Sequence, residues 1–224
     1  MGQTIYSKVQ ESTQLRAFPL EKRVMDVAIC LLALPFTLPL IGILGLLIYL
    51  DSPGPVILAQ QRVGRGGRRF NMYKFRTMLH RVDDSAQQAH MSAFVRGEIG
   101  GDTAEGAIHK PDNSLQVTHL GRVLRKTSLD EVPQLLNVFK GEMSLVGPRP
   151  NLSWEVENYQ AWHRKRLAVL PGMTGLAQVR GRSSVSFDRI VQYDIEYIEN
   201  RNLLMDLRIL CWTIPCVLST RGAG

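Results

Sequence analysis

The sequence predicts an α+β chain, mainly helical. It has an N-terminal apolar helix that enters a membrane, a small β-hairpin, and amphipathic interfacial helices around a compact core. Three observations predict it. Val27 to Leu50 is a run of 24 residues without a charge. Two strand-like stretches, Val56–Leu58 and Phe70–Phe75, flank the turn Gly64-Arg65-Gly66-Gly67. Apolar residues recur at helical spacing at Val132, Leu135, Leu136 and Phe139, and again at Leu203, Leu207, Leu210, Ile214 and Val217.

Taken in order, residues 1–21 are a polar, weakly patterned arm. The charge-free run that follows is long enough, at helical rise, to cover a bilayer core of about 30 Å. It has no polar face, which disfavours a soluble helix, and it is too long for a cleaved signal segment. Pro35 and Pro39 each remove a backbone bond, freeing the carbonyls of Leu31 and Pro35. Lys8, Arg16, Lys22 and Arg23 precede the run; Arg62, Arg65, Arg68 and Arg69 follow it. A simple span concentrates positive charge on one side. Positive flanks at both ends favour, over a simple span, both ends on the cytoplasmic face and a re-entrant helix-break-helix over residues 22–51. Asp51-Ser52-Pro53-Gly54-Pro55 is a turn cluster that opens the remaining domain, residues 52–224.

In that domain, the basic Gly-rich hairpin turn reads as a surface loop. Residues 83–96 read as a helix, and Gly97–Gly106 as an acidic loop with no assigned chemistry. Trp154–Leu167 reads as a helix in which Trp154, Tyr159 and Trp162 interleave with His163, Arg164, Lys165 and Arg166. Such a mixture stacks nucleic acid in some proteins, but beside a membrane segment it reads better as an interfacial helix. No nucleic-acid partner is expected. Leu170–Gly175 reads as a turn and Phe187–Tyr197 as an amphipathic helix. The last apolar helix is compatible with core packing and with a membrane surface alike.

Composition narrows the partners. The chain has 224 residues, a formal net charge of +7 and a pI near 9.6. An anionic partner is implied: lipid, phosphorylated substrate or nucleic acid. Cys30, Cys211 and Cys216 are too few and too scattered for a disulfide framework, and the five histidines show no zinc spacing. No P-loop and no GxGxxG is present, which argues against an ATP-driven kinase or a Rossmann enzyme.

The chemistry concentrates in Ser128–Pro150, SLDEVPQLLNVFKGEMSLVGPRP. Asp130 and Glu131 stand where a helix should begin. With Asp130 as N-cap, Pro133 occupies the third helical position, where its missing amide costs nothing. Gly141 ends the helix. Ser128-x-x-Glu131 also matches a capping box, so capping alone is an adequate reading of the pair. The company of Arg122, Arg125, Lys126 and Arg149 favours an anion-handling site instead.

This stretch resembles the central motif of the bacterial monotopic phosphoglycosyl transferases. The resemblance runs from about Lys22 to about Leu218. It recurs in further blocks: Lys22-Arg23 with Asp26, Tyr73-Lys74-Phe75-Arg76-Thr77-Met78, Pro171-Gly172-Met173-Thr174-Gly175, and Gln178-Val179-x-Gly181-Arg182. It implies a UDP-sugar donor, a polyprenol phosphate acceptor, Mg²⁺, and a site on the cytoplasmic face of the bacterial inner membrane. It implies Asp130 as nucleophile and metal contact, with Glu131 as its acid/base partner. Lys74, Arg76, Arg125, Arg149, Gln178 and Arg182 would bind phosphate or nucleotide. The same re-entrant topology is implied, with its break at Pro39, although relatives often carry Ser-Pro where this chain has Leu38-Pro39. They often carry Arg at the position of Leu170 and Asn at that of Arg180. The sugar and the oligomeric state stay open, a homodimer among the options. The rival class is a membrane-tethered basic adaptor without catalysis, which leaves Asp130-Glu131 unexplained.

Overall fold

The computed structural model describes residues 17–79, 85–99, 116–181 and 185–218. Arg182 and most of the 80–118 segment lie outside them. The longest element is α1, Leu20–Asp51. Its 32 residues extend about 48 Å at helical rise. The helix continues through Pro35 and Pro39, so the expected break at Pro39 is not an interruption. A proline removes one rung of the ladder while the rungs on either side persist, and that deforms a helix without ending it.

The two ends of α1 are held by the rest of the chain, and its middle is not. No residue from Leu31 to Ile43 is buried, and Leu32 and Phe36 are 75% and 79% exposed. Lys22, Asp26 and Cys30 before that stretch are buried, as are Leu44 and Ile48 after it. Leu44 and Ile48 pack with Phe75 and Leu124. Each such burial is worth roughly 1.5–3 kcal/mol. At the other end Lys22 Nζ meets Asp206 at 2.7 Å, and Arg23 donates to the carbonyls of Val138 and Phe139.

The hairpin is present as read, with a longer first strand: β1, Ile57–Val63, pairs antiparallel with β2, Arg69–Phe75. The helix predicted at 83–96 is α2, Ser85–Val95, and α3 is His119–Thr127. Gly121 of α3 lies so close to Thr77 that a Cβ there would sit 2.1 Å from the Thr77 carbonyl oxygen. Only glycine lets this helix lie on the end of β2.

The central stretch folds differently from its sequence reading. Leu129–Gln134 is a 3₁₀ helix, and α4 is the short Leu135–Lys140. Ser128, not Asp130, is the N-cap, and Pro133 falls at the fifth position. The proline cannot join an i→i−4 ladder, so the segment takes the tighter helix until Pro133 is passed. Gly141 ends α4 with φ 79°, as expected.

Next comes β3, Ser144–Val146, followed by α5, Ser153–Glu157, and a 3₁₀ helix over Trp162–Ala168. The single helix expected over 154–167 is therefore two short pieces. The segment buries His163 and Arg166, 0% and 3% exposed, and leaves Lys165 exposed. Strand β4, Gly172–Thr174, pairs parallel with β3, where the sequence suggested a turn. Helices α6, Leu176–Arg180, α7, Phe187–Asn200, and α8, Leu203–Leu218, complete the order. The central core gathers Met72, Val138, Met143, Val146, Tyr197 and Ile209 beneath β3.

Candidate active site

The pair Asp130-Glu131 lies in the first turn of the 3₁₀ helix. This helix packs on β2, which carries Lys74. Its N-cap Ser128 has φ 56°, the only non-glycine positive φ among the described residues. Such a conformation stores strain and often marks a functional turn. The capping reading is not realised, since no side chain caps this helix. The carboxylates are therefore not occupied by the role that best explained them without chemistry.

The two carboxylates differ. Glu131 accepts from Arg149 Nη1 at 3.0 Å. Asp130 has no hydrogen bond or ion pair among the described residues, yet Lys74, Arg125 and Arg149 all act on it electrostatically. Burial first, then the neighbouring Glu131, pushes Asp130 up to about 6, against those three cations. Burial, with help from Arg62 and Arg125, pulls Lys74 below its ordinary value. Lys74 is likewise without a hydrogen bond or ion pair among the described residues. Arg125 is held by Thr77, to whose Oγ1 its Nε donates at 2.9 Å. Arg149 is raised, chiefly by Glu131. The site is thus a half-dry cluster with a carboxylate unpaired among the described residues, a paired one, and three cations able to receive anionic oxygens.

The structure brings together Asp130, Glu131, Lys74, Arg125 and Arg149 of the predicted residues. It turns Arg76 away from them. Arg76 is 2% exposed and faces the C-terminal end of α1, donating to Ile48, Pro53 and Ser52 carbonyls and to Ser52 Oγ. A buried cation that satisfies the last carbonyls of a helix is a C-cap, a favourable place for positive charge. Gln178 lies on α6 and donates to the Met173 carbonyl at 3.2 Å. The divergent Arg180 is turned onto Glu196, at 2.7 Å, and stacks over Tyr193.

One residue of the cluster was missed. Arg62 on β1 reaches the electrostatic neighbourhood of Glu131, Arg149 and Lys74. Burial pulls it to about 10, with Glu155 opposing. Its sequence signal, an arginine two residues before a hairpin turn, marks only a strand end.

No group of three or more His, Cys, Asp or Glu poised for a metal exists among the described residues. Magnesium in phosphoryl transfer needs less: one or two carboxylates, with substrate phosphates supplying the rest. The adjacent Asp130 and Glu131 fit that demand.

The chain matches the family model for bacterial sugar transferases over residues 17–220. It is similar to the exopolysaccharide production protein ExoY of Sinorhizobium fredii, 39% identical over 204 residues, covering 91% of this chain and 88% of that one. It is 39% identical over 215 residues to the UDP-glucose:undecaprenyl-phosphate glucose-1-phosphate transferase of Caulobacter vibrioides, covering 92% and 73%. It is 42% identical over 171 residues to the galactosyl transferase CpsE of Streptococcus agalactiae, covering 76% of this chain but spanning only 36% of that protein's length.

Proposed function

The chain belongs to the bacterial sugar transferase family, and on that premise we propose that it moves a sugar-1-phosphate from a UDP-sugar to polyprenol (undecaprenyl) phosphate. The product would initiate an exopolysaccharide, capsule or glycoconjugate. The observation that carries the site assignment is the contrast within the pair: among the described residues Asp130 is unpaired and Glu131 is held by Arg149.

A nucleophile must be unencumbered and must face its target. Asp130 attacks the phosphorus that bears the sugar. The bond from that phosphorus to the UMP oxygen breaks, and UMP leaves. An oxygen of the lipid phosphate then attacks the same phosphorus, breaking the aspartyl bond and restoring the carboxylate. Splitting the transfer keeps two polyanions from having to share the site at one moment. Lys74, Arg125 and Arg149 bind the phosphate oxygens and offset the negative charge gathered around the attacking group. Glu131 serves as acid/base partner once substrate phosphate competes for Arg149. Asp130 and Glu131 would hold Mg²⁺, which neutralises the diphosphate when bound.

Two facts support a membrane-bound enzyme with α1 re-entrant from the cytoplasmic face. The middle of α1 is apolar and exposed, as lipid contact requires. Both of its ends are tied to one body: Arg23 to α4, and Ile48 and Ser52 to Arg76 beside β2. Asn137 of α4 also bonds directly to β2, accepting from the Tyr73 amide at 3.0 Å. Ends so joined favour one face of the bilayer over opposite faces.

The test is intact-protein mass spectrometry after incubation with a panel of UDP-sugars and Mg²⁺, without lipid acceptor. The expected result is a mass gain of one phosphosugar, which also names the sugar, and its loss in Asp130→Asn. Release of UDP instead of UMP when acceptor is added, or full turnover by Asp130→Asn, would sink the mechanism. A non-catalytic adaptor would release neither nucleotide.

A further inference from the structure

Arg149 sits between two prolines, so its turn lacks the amides with which turns usually hold themselves. Its carbonyls are instead gripped from outside, four in succession. Gly172 N donates to Pro148 O at 2.9 Å, and Arg166 Nη2 to Arg149 O at 3.3 Å. Arg62 Nη1 donates to Pro150 O at 3.2 Å, and Val63 N to Asn151 O at 2.9 Å. Two of these donors are arginine side chains, and Arg62 lies in the electrostatic neighbourhood of Glu131 and Arg149. Its side chain is 14% exposed, with Glu155 3.8 Å away and Gln60 Oε1 accepting at 2.8 Å. Its Nε is buried without a partner among the described residues. Arginine is an expensive choice for holding one carbonyl in a dry place, unless the orientation of what it holds matters.

We propose that Arg62 is a positioning residue for the transfer: by gripping the Pro150 carbonyl it fixes the turn that aims the Arg149 guanidinium across the carboxylate pair. This rests on the reading of Arg149 as a phosphate-binding residue of the transferase. Lysine at position 62 keeps the charge but loses the planar fork that holds Pro150 and Gln60 together.

The experiment is a double-mutant cycle on the full-length enzyme in detergent, with UMP release from the UDP-sugar as readout. Arg62→Lys is expected to lower kcat/KM about ten-fold in the wild-type background and less than two-fold in Arg149→Lys. The same loss in both backgrounds, or no loss in either, would overturn the proposal. Hydrogen–deuterium exchange decides it independently of activity. The peptide covering residues 147–157 is expected to gain deuterium faster in Arg62→Lys, and unchanged uptake would count against the proposal. If the wild type releases no nucleotide from any donor, the transferase reading fails while the exchange result still judges the grip. Should Arg62→Lys not fold, Glu155→Gln, which loosens Arg62 through its counter-ion, goes through the same cycle.

Discussion

Two aspartates in this molecule are pushed up to about 6, both chiefly by burial, and they stand in opposite circumstances. Asp194, on α7, is 2% exposed and is met by Arg166 at 2.6 Å. Asp130 lies in a less enclosed place, with cations around it and no bonded partner among the described residues. The displacement is the same in direction and first cause. What differs is whether the charge is already spoken for. A raised carboxylate reports dryness; an unclaimed one reports that a ligand is awaited.

Substitution by asparagine should separate the two. The largest effect expected is on turnover: Asp130→Asn should lose more than about a thousand-fold, measured as UMP release. Asp194→Asn should instead act on the fold, read by chemical denaturation, because it alters a buried pair in which Arg166 loses its counter-charge. If Asp194→Asn proved inactive but fully stable, the distinction drawn here would collapse.

Glu131→Gln should be milder, losing about a hundred-fold in transfer to lipid while still forming the aspartyl adduct. The pH profile should be gentler again. Only the ionised Asp130 attacks, so adduct formation should rise about ten-fold per pH unit up to about pH 6 and level above it.

The smallest effect concerns stability, and its sign is the reverse of that for an ordinary salt-bridged aspartate. The native state holds the Asp130 proton up to about 6, the unfolded chain only to the ordinary aspartate value of 3.8. The native state is therefore favoured at low pH, and this contribution is lost as pH rises from about 4 to about 6. Removing the charge should stabilise the protein at pH 7.5, by about 3 kcal/mol at most and less as solvent screens the site, raising its Tm. A lower Tm for Asp130→Asn would show that its neighbours hold the carboxylate more firmly than burial opposes it.

Much of this was legible in the chain. The apolar run, the glycine-turned hairpin, the stop at Gly141 and the last helix all rest on local patterns, and local patterns survive folding. Asp130, Glu131, Lys74, Arg125 and Arg149 were recognisable as a set by their resemblance to a known motif. What was hidden depends on long-range pairing. Strands β3 and β4 are three residues each, too short for any alternation to show, and each exists only because the other lies beside it. Arg76 and Arg62 are both arginines on the hairpin's two strands or just past them. One is turned to a helix end and the other to the active-site turn, and nothing in the adjacent residues says which. The helix start was misplaced because Pro133 was read against α-helical rules, whereas a 3₁₀ segment tolerates it deeper.

The attachment of α1 at both ends has a practical side. Cutting away residues 20–51 to obtain a soluble enzyme would remove more than a membrane anchor. It would strip Arg23 from the end of α4 and take Asp26 from Ser144 and the Leu145 amide. It would also leave Asp206 without Lys22, and Arg76 in the interior without the Ile48 carbonyl it faces. Each loss strands a polar group inside the protein. The part of the chain that looks most dispensable for chemistry is therefore a structural member of the folded body, and solubility has to come from detergent or lipid discs rather than from truncation.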